Sequence, residues 1–219
     1  MTPSDPPTST VAERTPAFTE SRRIPSQARS RKRLDKVLEI ATRLVIENDP
    51  QAVTTTTIAG AANISVGWIY RYFPDKEAIF DRILVEALER LDRRLAEVNF
   101  SLGVEDWRTA VETGVDVIVD FVAEDAAFRK LWFSNVLTVK MIQANREHDT
   151  NLAKQLAADL PPVLHGATGR QATDVTQMFL GIIDKGVDLA FQGGDPRGDR
   201  GVVVEIKHAA VRYLESFLA

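Results

Sequence analysis

A short segment, residues 65–73 of the 219-residue chain, carries the side chains best suited to binding chemistry. At helical spacing Ile69 and Phe73 share one face and would pack inward. Exposed aromatic side chains in so short a helix need a reason, and tyrosine hydroxyls that bond phosphate oxygens supply one. The segment therefore predicts contact with a nucleic acid. The residues left facing outward are Val66, Gly67, Trp68, Tyr70 and Tyr72.

Residues for catalysis or metal binding are sparse. The chain has no cysteine and three histidines, which excludes disulfides, thiolate zinc sites and cysteine nucleophiles. An enzyme, the alternative from another class, would have to use Glu147-His148-Asp149 or His165. A lone histidine beside acids is far more often solvated than catalytic, and no G-x-S-x-G, H-E-x-x-H or phosphate-loop motif occurs. We expect no enzyme, no cofactor and no metal.

The elements that precede the segment are two helices. Apolar residues spaced by three and four predict a first helix that ends near residues 48–50. Four threonines at 54–57 supply an N-cap for a short second helix that ends at residues 61–62. Asn63 tolerates the left-handed conformation that a sharp turn needs. The apolar positions of the first helix are Leu34, Val37, Leu38, Ala41, Leu44 and Val45.

The segment itself would be the third helix, capped by Ser65 and stopped by Pro74 after Phe73. Asp75 caps a long fourth helix that begins at Lys76. Two short helices joined by a three-residue turn describe a helix-turn-helix unit. The second helix of such a unit fits the major groove of DNA, where its N-terminal residues meet base edges.

The rest of the chain shows only helical periodicity, so the fold class is predicted to be all-α. Helical patterns recur at about 106–123, 126–147, 149–160, 173–192 and 199–218. We expect a disordered arm at 1–25, a helix-turn-helix domain at 26–75 and a larger helical domain at 76–219. Residues 1–25 hold five prolines and eight serines or threonines, too little apolar surface to offset the entropy of ordering.

The charge distribution separates the same parts of the chain. Residues 22–82 carry 11 Lys/Arg against 7 Asp/Glu, whereas residues 83–219 carry 15 against 21. A basic third on an acidic remainder suits an anion-binding module joined to a different body. No apolar run approaches the roughly 20 residues that span a bilayer, and the N-terminus has no signal-peptide core. We expect a soluble cytoplasmic protein with no membrane partner.

The helix-turn-helix stretch closely resembles the DNA-binding domain of TetR-type (tetracycline-repressor) regulators. The resemblance covers roughly residues 31–82 and rests on three stretches: 54–59 (TTTTIA), 64–67 (ISVG) and 69–78 (IYRYFPDKEA). It implies that Thr55 and Thr56 open the second helix against phosphates, and that Tyr70 and Tyr72 hold phosphates. Lys76 would hold another phosphate at the start of the fourth helix, where the dipole helps.

The base-reading positions implied by the resemblance are Val66, Gly67 and Trp68, next to the cap Ser65. Val66 offers only apolar contact with a thymine methyl, and the Trp68 indole N–H can donate to one base. The alternative for Trp68 is packing back onto the first helix. With so few polar readers, DNA shape would supply much of the specificity. Asn63 stands where the family usually has glycine, and it is an adequate substitute.

The larger domain is expected to hold an effector and to dimerise. The resemblance implies an apolar cavity, and plain core packing is the alternative for each of its aromatics. The last two helices would pair with a second subunit, with close approach of another backbone as a reason for Gly181 and Gly186. Polar groups that could orient a ligand include Asn135, Gln143, Asn145, His148 and Gln177. The expected pocket residues are Trp107, Phe121, Phe128, Trp132, Met141, Met178 and Phe179.

The function that follows is a DNA-binding transcriptional regulator on a pseudo-palindromic operator. We expect a homodimeric repressor, released by an unknown small apolar effector that tilts the fourth helix. The nearer alternative is a helical small-molecule-binding protein without specific DNA recognition, because Val66 and Gly67 are poor base readers.

Overall fold

The computed structural model describes residues 28–98, 107–134, 136–159 and 170–217. These described residues form helices and no strand, which confirms the all-α prediction. The predicted arm at 1–25 lies outside them, as do Asn135 and His165. The helices are α1 (Ala28–Glu47), α2 (Thr55–Ala62), α3 (Val66–Tyr70), α4 (Lys76–Ala96), α5 (Trp107–Glu124), α6 (Ala126–Trp132), α7 (Val139–Asp159), α8 (Arg170–Phe191) and α9 (Arg200–Glu215).

Local side-chain caps set the boundaries of the first short helices. The Thr54 hydroxyl accepts from the backbone N–H of Thr57 at 3.1 Å, and the Thr57 hydroxyl accepts from the N–H of Thr54 at 3.0 Å. This reciprocal capping box satisfies two backbone donors at the start of α2. Asn63 ends α2 in the left-handed conformation, with φ of 55°. Ser65 caps α3 by accepting from the N–H of Trp68 at 3.2 Å.

Two helix boundaries differ clearly from the sequence prediction. α3 ends at Tyr70 instead of Phe73. The break between α6 and α7 lies at 133–138, not at residue 148. Its cause is Thr138, whose hydroxyl accepts from the N–H of Met141 at 2.9 Å and so begins a new helix. Because no glycine or proline marks this break, the apolar periodicity continues through it.

One contiguous hydrophobic core joins the helix-turn-helix to the larger body. Val37, Ala41, Ile58 and Ile69 are fully buried where α1, α2 and α3 pack together. Buried residues of α4 continue the core towards α5 and α6. No helix in the described part of the chain combines the length and apolarity needed to cross a bilayer.

α8 and α9 pack closely, and Gly186 permits the approach. A Cβ atom at Gly186 would lie 2.3 Å from Cγ1 of Ile206 on α9. The close neighbour is thus a side chain of the same chain. A Cβ at Gly181 would meet no atom within 4 Å. The connection between the helices is fixed where the N–H of Asp199 donates to the carbonyl of Ala190 at 2.8 Å.

Candidate DNA-binding surface and ligand cavity

The outer face of α3 is open. Ser65, Gly67 and Tyr70 are exposed, whereas Val66 is half-buried. A Cβ at Gly67 would meet no atom within 4 Å. The absence of a side chain at Gly67 lets another surface approach the backbone of α3 closely.

Tyr70 and Thr55 form a pair that links α3 to the start of α2. The two hydroxyl oxygens lie 3.2 Å apart. Thr55 is 9% exposed, whereas Tyr70 is 48% exposed and Thr56 is fully on the surface. The hydrogen bond fixes the position of the Tyr70 hydroxyl at the surface, where it can accept a second partner.

Trp68 and Tyr72 lie against each other, with ring centroids 4.6 Å apart and planes tilted by 52°. Both are half-buried and pack on the hydrophobic core. Trp68 also borders a recess of about 180 Å³ that Arg33 of α1 shares. The indole is therefore supported by neighbours without being enclosed by them.

Lys76 makes contacts that the sequence did not predict. Its ammonium donates to the carbonyl of Gln51 at 2.8 Å and to that of Pro50 at 3.4 Å. It ties the first turn of α4 to the loop that follows α1. An ammonium has three donors, so one remains for an anion.

A cavity of about 2010 Å³ lies among α4, α5, α6, α7 and α8. α4 contributes Leu88, Leu91 and Leu95 to the lining, spaced by three and four along the helix, and we name them the leucine stripe. Aromatic side chains line another part of it, and Phe128 stacks on Trp132 at a centroid distance of 5.1 Å. We name Phe128, Trp132, Phe133 and Phe179 the aromatic wall.

The structure divides the seven expected pocket residues into two groups. Phe128, Trp132, Met141 and Phe179 line the cavity. The other three do not line it. Trp107 and Phe121 are 2% exposed and belong to the hydrophobic core, where the Phe121 ring packs against that of Phe128 at a centroid distance of 5.3 Å. Met178 is 56% exposed on the outside of α8.

A polar cluster lines the cavity where α4, α7 and α8 face one another. His148 Nε2 lies 3.3 Å from Asp92 Oδ1, and the Asn145 amide donates to Asp149 at 3.1 Å. The hydrogen bond to Asp92 is the main reason why the pKa of His148 is raised. Burial raises the pKa of Asp149. Of the expected polar groups, Asn145 and His148 line the cavity, whereas Gln143 and Gln177 do not.

Burial, followed by repulsion from Asp149 and Asp188, raises the pKa of Asp184 to about 7. By surface area Asp184 is exposed, and its side chain borders the cavity beside those of Asp149 and Asp188. Its ionisation is therefore sensitive to any charge that enters the cavity.

Two family models match this chain and identify its protein family. Residues 105–218, just over half of the chain, match the family model described as the tetracyclin repressor-like C-terminal domain. Residues 37–83 match the model of bacterial regulatory proteins of the tetR family. The chain belongs to the TetR family. It is thus a member of a family of DNA-binding transcription regulators that act as dimers.

Individual relatives of this TetR-family chain are distant. The nucleoid occlusion factor SlmA of Glaesserella parasuis is 28% identical over 109 residues, which span 49% of this chain and about half, 52%, of that relative. A TetR-family regulator from Streptomyces coelicolor has a TM-score of 0.61 and 24% identity, covering 85% of this chain and 99% of its own. RolR in complex with resorcinol has a TM-score of 0.53 and 20% identity, covering 85% and 93%. The structures share the fold.

Two polar contacts in this TetR-family chain join residues that are distant in sequence, and the sequence did not predict them. Lys130 of α6 donates to the carbonyls of Ile46 at 2.6 Å and Asn48 at 3.2 Å, at the end of α1. Arg90 of α4 pairs with Asp125, the N-cap of α6, at 2.5 Å. No local pattern marks either pair, because the partners lie far apart in sequence. The leucine stripe of α4, in contrast, carries a helical spacing that the sequence displays.

Proposed function

We propose that this TetR-family regulator is a repressor whose two copies hold a pseudo-palindromic operator until a small apolar molecule enters the cavity. The observation that carries the proposal is the course of α4. This helix starts beside α3 at Lys76, and its second half forms a wall of the cavity with Leu88, Leu91 and Leu95. One rigid element therefore belongs to both candidate sites.

The coupling is assigned to α4 and α6 together. A ligand that displaces the leucine stripe tilts α4 and so alters the distance between the α3 helices of the two copies. α6 supports the same movement, because it contributes Phe128 and Trp132 to the cavity and Lys130 to the end of α1. The coupling needed is modest, since about 1–3 kcal/mol shifts DNA affinity roughly 5–150-fold.

The DNA contacts are proposed for the exposed face of α2 and α3. Tyr70 and Tyr72 bond phosphates, and the remaining Lys76 donor adds a charge at the N-terminus of α4. The open backbone at Gly67 lets α3 sit deep in the major groove. Thr55, which is 9% exposed, acts by holding the Tyr70 hydroxyl in place. Base edges and the adjoining phosphates are then met by Thr56, Ser65, Val66, Gly67 and Trp68.

The dimer is proposed to form through α8 and α9. Three large apolar side chains stand exposed on these two helices: Met178 at 56%, Leu189 at 41% and Val204 at 54%. Exposed apolar groups on neighbouring helices favour burial against a second copy. A two-fold dimer would place two α3 helices on successive half-sites of one operator.

Specific binding can be tested by selecting from a random duplex pool and then measuring fluorescence anisotropy across a salt series. We expect enrichment of a pseudo-palindrome and a steep negative dependence of affinity on log salt. Trp68→Ala should change the ranking of operator variants, whereas Trp68→Phe, which keeps a ring without the N–H donor, should lose one base preference only. A pool without enrichment would support the alternative of a ligand-binding protein without specific recognition.

Ligand binding can be tested with a neutral fluorescent probe, N-phenyl-1-naphthylamine. We expect the probe to bind in the cavity and to release the selected DNA. Leu91→Trp should weaken its binding by adding bulk at the cavity wall, whereas Val139→Trp, at a position 71% exposed outside the cavity, should not. Equal effects of the two substitutions would contradict the cavity as the ligand site.

A further inference from the structure

Acidic side chains outnumber basic ones in the lining of the cavity. Asp92, Asp149 and Asp184 come from α4, α7 and α8 respectively, and we name them the carboxylate site. Each acts electrostatically on at least one of the others: Asp92 raises the pKa of Asp149, and Asp149 raises that of Asp184. Like charges held together in partly dry surroundings repel, and a proton or a cation relieves the repulsion.

Two of the three basic side chains that line the cavity already have a carboxylate partner, and the third, Arg146, is exposed on α7. His148 is bonded to Asp92, and Lys185 pairs with Asp188 at 3.6 Å. Among the described residues, the amide of Asn145 is the one side-chain donor to Asp149. Asp184 forms no hydrogen bond or ion pair within the described residues, although it lines the cavity.

Much of the remaining lining is apolar, with a few polar side chains such as Ser134, Asn151 and Gln155 among it. α5 and α6 contribute no charged lining residue among those described, and the aromatic wall and the leucine stripe of α4 cover much of the surface. Among the described residues no group of three acidic or histidine side chains has the arrangement of a metal site. An occupant must therefore be an organic molecule with an apolar body, and its polar group must suit carboxylates.

We propose that the cavity selects amphiphilic organic cations, with the cationic group against Asp149 and Asp184 and the apolar body against the aromatic wall. The inference rests on the proposed function, in which the cavity holds the effector, and it names the chemical class of that effector. The aromatic faces favour the same charge, because the ring quadrupole attracts cations.

The test compares two probes of nearly equal shape and opposite charge, tetraphenylphosphonium and tetraphenylborate. Each competes with N-phenyl-1-naphthylamine on the full chain. We expect the phosphonium to displace the dye at a concentration at least about tenfold lower than the borate, because the carboxylates attract the phosphonium and repel the borate, so that the two effects add. Asp184→Asn and Asp149→Asn should each reduce the preference several-fold. Asp120→Asn, which removes the same charge from the exposed side of α5, is the matched control.

The preference should also depend on pH. Asp184 takes up a proton as pH falls from 8 to 6, because its pKa is about 7, and His148, whose pKa the hydrogen bond to Asp92 raises, also gains charge on acidification. The other charged groups lining this part of the cavity are Asp92 on α4, Arg146 and Asp149 on α7, and Lys185 and Asp188 on α8. Phosphonium affinity should therefore fall on acidification, and Asp184→Asn should flatten the change.

The outcomes separate this inference from the proposed function. If the dye binds but the borate competes as well as the phosphonium, or neither competes, selectivity for cations is wrong and the cavity remains a ligand site. If the Asp120→Asn control changes the preference as much as Asp184→Asn, the effect is net charge and not the carboxylate site. If the neutral dye itself fails to bind, the ligand-responsive function fails.

Discussion

Gly186→Ala tests the closest approach between α8 and α9. The added Cβ would lie 2.3 Å from Cγ1 and 2.9 Å from Cδ1 of Ile206. Ile206 is 3% exposed, so its side chain has no open space to enter. The two helices must separate or Ile206 must leave its preferred rotamer.

The expected cost is the difference between two effects. Overpacking a core costs about 1–3 kcal/mol. Alanine returns about 0.5–1 kcal/mol relative to glycine through its helix propensity. We expect a net loss near 1 kcal/mol, which lowers the unfolding midpoint by roughly 2–4 °C in a chain of this size.

The measurement is thermal unfolding by circular dichroism at fixed protein concentration, since a dimer makes the midpoint concentration-dependent. Gly60→Ala is the matched control, because a Cβ there meets no atom within 4 Å, and it should be neutral or stabilising. Ile206→Ala removes the clashing atoms, so Gly186→Ala should cost nothing in that background. If Gly186→Ala is as stable as the control, or costs the same with Ile206→Ala, the steric reasoning is wrong.

Two further predictions concern DNA binding and its control. Tyr70→Phe should weaken DNA binding roughly 2–10-fold, the worth of one hydrogen bond, and equally for all operator variants in anisotropy. A loss concentrated at one base pair would show that Tyr70 reads a base. Lys130→Met removes the bonds to the carbonyls of Ile46 and Asn48, so ligand-induced release of DNA should weaken while binding of the dye alone stays unchanged. Lys130→Arg should retain release, and full release by the methionine variant would exclude Lys130 from the coupling.

The helix-turn-helix part of the fold could be predicted because the sequence signals that set its helix ends are local. Thr54 and Thr57 are three residues apart, and Asn63 adopts its left-handed conformation from its own chemistry. Such interactions depend on a few neighbouring residues and act in any tertiary context. The same is true of the amphipathic spacing that predicted the all-α class and most of the helices.

The cavity depended on the packing of distant helices. Trp107, Phe121 and Phe128 are aromatic and almost equally buried, at 2%, 2% and 3% exposed, yet only Phe128 borders the cavity. Each buries its ring with a similar hydrophobic gain, so the residue type does not reveal which of them lines the cavity. Only the packing of the five helices around the cavity distinguishes a side chain that lines the cavity from one that fills the core.

The polar contacts of the body are likewise decided by tertiary structure. Lys130 meets Ile46 across 84 residues, and His148 of α7 meets Asp92 of α4. Nothing in the sequence near either residue selects its partner, because ionic and hydrogen-bonding groups accept many partners at similar energies. The sequence by itself determined the DNA-binding helices through local hydrogen bonds and helical periodicity. The tertiary structure alone decided which charges and aromatic rings meet in the cavity, because packing brings together groups that the chain keeps far apart.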